Sequence, residues 1–256
     1  MNPAASPLKL FQFVALLAAL AGGTAIVQAG EYPAVLDWSG KVTLTLPVSG
    51  VLENVVAQPG QRVMQGELLA SLEPALFKIG VAEARADLDR FGEEHADAGR
   101  DLERVRELYA RTVASTTELD AARLRFARAE AGLAAAQARV ERARRLLADS
   151  ELRAPFDAQV LIRHGEPGLV ITSQCQPAAV FTIARANQFV ARARIPAAQA
   201  GTLKPGAAAE VMAGGVSLTG KVNAISVGDD HAHQLEIVLP RQAGMAVGQE
   251  VSIHLP

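Results

Sequence analysis

The chain predicts an elongated α+β protein: a split β-sandwich with an antiparallel α-helical hairpin inserted between its halves, followed by a small β-barrel. Three observations carry that expectation. One motif occurs twice, as Pro47-Val48-Ser49-Gly50 leading to Pro59-Gly60 and as Pro155-Phe156-Asp157-Ala158 leading to Pro167-Gly168, with equal spacing in both copies. Between the copies run two long stretches with apolar or small residues at steps of four and three. After them come short alternating segments punctuated by Gly and Pro, the pattern of strands and turns.

Residues 1–29 read as a targeting segment. Lys9 and the amino terminus supply a positive start, Phe11 to Ala21 an apolar run, and Val27-Gln28-Ala29 a small-x-small site before Gly30. The stretch from Leu10 to Val27 carries no charge, so an uncleaved N-terminal anchor stands beside a cleaved signal peptide. Either one takes the remainder of the chain out of the cytoplasm. Residues 30–73 then hold an N-terminal strand and the first half motif, ending in the strand Glu67 to Leu72.

Residues 74–149 form the expected hairpin. The first seam runs through Phe77, Val81, Ala84, Leu88, Phe91, His95, Ala98, Leu102, Val105 and Tyr109. The second runs through Leu119, Ala122, Phe126, Ala129, Leu133, Ala136, Val140, Ala143 and Leu147. Such spacing keeps one stripe of each helix facing its partner. Glu73-Pro74 opens the first helix, with Pro at the first helical position. Ser115-Thr116-Thr117-Glu118 is a capping box, in which Ser and Glu side chains satisfy the free amides at a helix start. Residues 81–112 hold nine acids and six Arg, and 116–148 hold seven Arg and four acids, so the arms carry opposite net charge. Gly92, Gly99 and Gly132 each cost about 1 kcal/mol relative to Ala within a helix, a hint that the hairpin packs against partners.

Residues 150–185 carry the second half motif. Neither half can bury its apolar face alone, so the two are expected to fold as one sandwich. Residues 186–256 supply the barrel: a strand from Gln188 to Ile195, a helical crossover from Pro196 to Leu203, a tight hairpin at Gly214-Gly215, and strands near 216–218, 221–227, 234–239 and 250–255.

Composition excludes several function classes. With 25 Lys+Arg against 27 Asp+Glu the chain lacks the basic excess of a nucleic-acid binder. A single cysteine, Cys175, excludes an internal disulfide framework and a Cys-rich metal site, and it reads as a packed or loop thiol. No zinc-protease helix motif, phosphate-binding loop, nucleophile elbow or dinucleotide fingerprint is present. The chain is therefore not expected to be an enzyme, and no cofactor is implied. His231 and His233, beside Asp229 and Asp230, form the one weak metal candidate, because residues i and i+2 of a strand share a face. The bland alternative is a polar loop between barrel strands.

The order of these pieces resembles the periplasmic adaptors of the membrane fusion protein (HlyD-like) family, most like those of resistance-nodulation-division (RND) efflux pumps. The stretches that carry the resemblance are Gly50-Val51-Leu52-Glu53-Asn54-Val55, Gly60 through Leu69, and Leu152-Arg153-Ala154-Pro155-Phe156-Asp157. It implies that the sandwich is lipoyl-like, with Gly50, Gly60, Val63, Gly66, Leu69, Pro155, Phe156 and Gly168 as its structural residues. It also implies that Arg104, Leu108 and Ser115, in Arg-x3-Leu-x6-Ser spacing at the hairpin turn, contact a TolC-type outer-membrane channel. Their local alternatives are a solvated charge, a hairpin contact and a helix cap.

The resemblance further implies an inner-membrane transporter as partner, a homo-oligomeric ring of six copies, and a periplasmic location at the inner membrane. Three departures qualify it. Ala158 stands where the second half motif usually has Gly, no membrane-proximal domain is expected after the barrel, and the hairpin occupies the place of the lysine that a lipoyl or biotin carrier needs. An adaptor of an ABC-type exporter and a structural coiled-coil envelope protein are the competing readings.

Overall fold

Pairing between distant strands, rather than chain order, decides which segments share a sheet. The computed structural model describes residues 30–173, 177–228 and 231–255. They divide into two compact units: Asp37–Val190 with Pro240–Val247, which holds the sandwich and hairpin, and the barrel, built from the segment ending at Leu36 together with Ala191–Leu239 and the segment beginning at Gly248. The targeting segment 1–29 and Cys175 lie outside the described residues.

The sandwich consists of two four-stranded sheets. After β1 (Glu31–Trp38), which joins the barrel, its strands are β2 (Val42–Leu44), β3 (Gly50–Val55), β4 (Arg62–Val63), β5 (Leu68–Leu72), β6 (Glu151–Arg153), β7 (Ala158–Arg163), β8 (Val170–Ile171) and β9 (Phe181–Arg185). Of these, β2-β9-β7-β4 form one sheet and β6-β5-β3-β8 the other. The two half motifs therefore exchange strands. β4 of the first half pairs with β7 of the second, through Arg62↔Gln159 and Val63↔Ala158. In return β8 pairs with β3, through Gly50↔Ile171 and Val51↔Val170.

The matched turns repeat the exchange. Gly60 N–H donates to the Val160 carbonyl, and Gly168 N–H donates to the Leu52 carbonyl, each at 2.8 Å. Both glycines have positive φ, 85° and 91°, so the Pro-Gly pairs are turns that demand the left-handed conformation. Ala158 starts β7 fully buried and is absent from the positive-φ residues, which is why it replaces Gly without strain. Leu46, Leu52, Val63, Leu69, Leu72, Leu152, Val160, Ile171, Val180, Phe181 and Ile183 fill the core between the sheets. Phe156 packs against that core, and the Arg185 guanidinium lies 4.8 Å from its ring centroid.

The hairpin rises from this core. Helix α1 (Ala75–Ala110) has 36 residues and α2 (Thr116–Asp149) has 34, about 50 Å each at 1.5 Å per residue. Pro74 is the N-cap of α1, one position earlier than its expected place at the first helical residue. Phe77 packs on the sandwich core, and Leu72 N–H bonds the Ser150 carbonyl at 2.9 Å, so both feet of the hairpin are tied to β5. Every seam residue named from the sequence is at least half-buried except Tyr109, which is exposed. Leu108 is the more buried of the two.

Of the helix glycines, Gly132 has a packing cause, whereas Gly99 leaves ordinary contact distance. A methyl group at Gly132 would lie 3.0 Å from the Phe91 ring, and one at Gly99 would lie 3.5 Å from Phe126. Small residues on one arm thus admit rings from the other, and Phe126 also meets the His95 ring at 4.9 Å. Gly80 and Gly92 face nothing within 4 Å.

The second unit is a closed barrel. Its remaining elements are β10 (Gln188–Ile195), the short α3 (Ala197–Ala200), β11 (Ala208–Ala213), β12 (Val216–Val227), β13 (His233–Pro240) and β14 (Glu250–His254). The order around the barrel is β1-β10-β13-β12-β11-β14. β1 lies in the span that the sequence reading grouped with the first half motif, but its partner is β14, through Glu31↔His254 to Val35↔Glu250. Alternate residues of each strand, among them Val211, Leu235, Ile237 and Ile253, are fully buried, as closure requires.

Gly214 and Gly215, with φ of 57° and 84°, make the two-residue turn that joins β11 to β12. The segments expected as separate strands at 216–218 and 221–227 are one strand, continuous through Gly220. The absence of a side chain there leaves room for Ile237.

Candidate functional site

The free end of the hairpin is built by two helix termini meeting over five residues. At the end of α1, Thr112 N–H donates to the Tyr109 carbonyl at 2.9 Å and Val113 N–H to the Leu108 carbonyl at 2.9 Å. These bonds satisfy carbonyls that a helix end otherwise leaves free. They require Thr112 in the left-handed region, with φ of 59°, a conformation that a β-branched residue adopts only under strain. The turn leaves Val113 71% exposed, an apolar side chain presented at the tip. Thr112→Gly is expected to stabilise the chain by about 1 kcal/mol by releasing that strain; an unchanged or lower midpoint in urea would count against it.

On the α2 side Ser115 is the N-cap, with both halves of the capping box formed. Glu118 N–H donates to Ser115 Oγ at 3.2 Å, and Ser115 N–H donates to Glu118 Oε2 at 2.7 Å. The Ser115 hydroxyl donates to the same carboxylate oxygen at 2.9 Å. The Ser115 backbone amide first, and then its hydroxyl, hold the Glu118 carboxyl below its usual range. Ser115 is therefore already engaged as a cap, and Leu108 is half-buried with its carbonyl closing the turn.

Arg104 sits one helical turn before Leu108 and its side chain is 69% exposed. It pairs with Asp101, which also accepts from Arg125 Nη2 of the other helix at 2.7 Å. Arg125 first, and then Arg104, depress the Asp101 carboxyl. Asp101 thus ties the arms together just below the tip and orients Arg104 along the surface. A cavity of about 440 Å³ opens there, lined by Glu94, Asp97, Ala98, Arg100, Asp101, Arg104 and Arg125. The structure accordingly places Leu108 and Ser115 in one turn and Arg104 on the shaft beneath it. Sequence reasoning missed Asp101, Arg125, Thr112 and Val113. The i, i+3 spacing of Asp101 and Arg104 was the one available signal.

Both depressed carboxyls give the tip a pH dependence of known sign. A folded value below the unfolded one means stability that is complete above the unfolded value, about 4, and lost as pH falls through the folded value. Carboxyl carbon NMR titration is expected to show Asp101 and Glu118 ionising below free-peptide values. Titration at the free-peptide values would remove both tip contacts from the account.

The weak metal candidate takes a different form from that expected. His231 has φ of 58° and its N–H donates to the Gly228 carbonyl at 2.9 Å, so it lies in a bend and not on a strand. His233 begins β13. The shared strand face that would have paired them does not exist, and Asp229 and Asp230 lie outside the described residues. Among the described residues no group of three or more His, Cys, Asp or Glu is gathered as a metal site requires. Nor is any described helix long and apolar enough to cross a membrane.

Two half-sandwiches that exchange strands around an inserted hairpin define a barrel-sandwich hybrid. The chain belongs to the CzcB-like barrel-sandwich hybrid domain family, whose pattern matches residues 41–185. It is similar to the multidrug resistance protein MdtA of Escherichia coli, with 33% identity over 132 residues, a match covering 52% of this chain and 32% of that protein. The match thus spans about a third of the length of that relative. Among solved structures, a MacA-MexA chimera containing the Pseudomonas aeruginosa MexA α-hairpin aligns with a TM-score of 0.65 at 18% identity, covering 88% of this chain and 79% of the other. The membrane fusion protein Spr0693 of Streptococcus pneumoniae aligns with a TM-score of 0.60 at 14% identity, covering 88% and 97%. These two likenesses show the shared fold.

Proposed function

We propose that this chain is a periplasmic adaptor that links an inner-membrane efflux transporter, of the RND type, to a TolC-type outer-membrane channel for export of small molecules. The observation that carries the reading is the hairpin: a rod tied at its feet to a strand-exchanged sandwich, with a capped tip that presents Val113 and, beneath it, Arg104. The homology with a multidrug resistance protein supports it. The adaptor works by assembly and performs no chemistry of its own. Copies of the chain, six in the ring that the family resemblance implies, align their hairpins into a tube. Arg104, Leu108 and Ser115 meet the channel, and the transporter supplies the energy. The location is the periplasm, in association with the inner membrane, with residues 1–29 acting as a cleaved signal peptide or an uncleaved N-terminal anchor.

A photoreactive residue at Val113 tests the orientation. Envelopes of cells producing the full chain are expected to yield a crosslink to an outer-membrane channel. Self-crosslinks alone would favour a structural coiled-coil envelope protein.

A further inference from the structure

The segment after β13 folds back onto the sandwich and borders an open cavity of about 520 Å³, lined by Arg62, Ala186, Asn187 and residues 241–245. Two guanidiniums line it, and none of its lining residues is a carboxylate. The sheet register brings them together. Arg62 of β4 is the cross-strand partner of Gln159. The Gln159 amide donates through Nε2 to the Gly60 carbonyl at 2.8 Å, and its Oε1 accepts from Arg241 Nη1 at 2.8 Å. The same Nη1 also reaches the Ala186 carbonyl at 3.5 Å.

Arg241 is held in place by rings, its guanidinium carbon 5.3 Å from the Trp38 centroid and 5.2 Å from that of Phe189. Both of its hydrogen bonds leave from Nη1, so Nη2 and Nε keep donors with no protein acceptor among the described residues. Neither Arg62 nor Arg241 has a carboxylate partner among them. Burial, and then the Arg62 charge, push the Arg241 guanidinium below its ordinary value. Arg62 is exposed and Arg241 half-buried, and an anion between them would relieve the repulsion of two like charges brought to one open cavity.

We propose that this cavity binds a phosphate monoester, with the Arg62 and Arg241 guanidiniums donating to its oxygens. A dianion matches two positive charges, and tetrahedral phosphate offers oxygens to two planar forks. The cavity exceeds the size of inorganic phosphate, which leaves room for an organic remainder.

The test titrates the full chain with glycerol 3-phosphate and with inorganic phosphate by calorimetry at constant ionic strength, using chloride as the control. Flotation with phosphatidic acid vesicles, against phosphatidylcholine vesicles, forms the second arm. Saturable binding of glycerol 3-phosphate is expected, weakened at least about tenfold in R62Q; the Arg62 side chain is exposed and has no carboxylate partner among the described residues. R241Q should weaken it as well; R62Q remains decisive if R241Q misfolds.

Vesicle binding that R62Q abolishes would assign the phosphate to a lipid headgroup, and binding of the soluble ester alone would assign a soluble ligand. The proposal is overturned if no phosphate binds above chloride in either arm, or if R62Q binds as the wild type does. It is also overturned if R62Q only alters self-association, which would make a carboxylate of a second copy the natural occupant.

Discussion

Arg104→Asp is expected to reduce efflux complementation to the level of an empty vector while export and thermal stability stay unchanged. The side chain is largely solvated, and its one ionic partner, Asp101, keeps Arg125 across the hairpin. Reversal therefore leaves the tie between the arms in place and changes only the charge displayed beneath the tip. Surface ion pairs contribute little to stability, so a loss of function without a loss of fold isolates docking from packing. Resistance assays beside a melting curve of the purified chain provide the comparison. Unchanged efflux would return Arg104 to the role of a solvated charge.

The second large effect is on stability. Phe181 is fully buried at the centre of the sandwich, opposite Leu44 in β2 and Arg163 in β7. Phe181→Ala is expected to cost about 3–5 kcal/mol, the range for truncating a buried aromatic ring. Net stabilities of domains are about 5–15 kcal/mol, so the variant would retain little margin. The single tryptophan, Trp38, meets the tilted Phe189 ring at 5.3 Å within the same unit, and its fluorescence in urea reports the loss. A change below about 1 kcal/mol would mean that the site collapses around the missing ring.

The parts of this molecule that follow from local chemistry were legible in the chain. The hairpin seam, the Ser115 cap and the Gly214-Gly215 turn depend on residues within a few positions of one another. The repeated Pro and Pro-Gly spacing also revealed that two halves form one sandwich. What stayed hidden depends on distant partners. Nothing near β1 announces that it pairs with β14. The Asp101–Arg125 contact depends on the vertical register of two helices, which a heptad pattern leaves open by a turn. Tyr109 and Leu108 lie side by side at the end of the seam, and the spacing alone did not tell that Leu108 is the one turned inward. At the metal candidate, strand alternation was assumed across His231, where the backbone bends instead.

The exchange of strands between the halves has a consequence for how the chain folds. The first half motif is synthesised long before the β7 strand that its β4 requires, so it remains an unpaired template until the second half arrives. Joining the halves through a flexible segment of the hairpin's length would carry a loop-closure entropy cost that grows with the logarithm of that length. A hairpin that forms first removes most of that cost, because its own contacts are local and it returns the chain to within a hydrogen bond of its start, at Leu72 and Ser150. The rod then serves as the folding catalyst of its own base, and helix-breaking changes near its turn should slow closure of the sandwich far from where they lie.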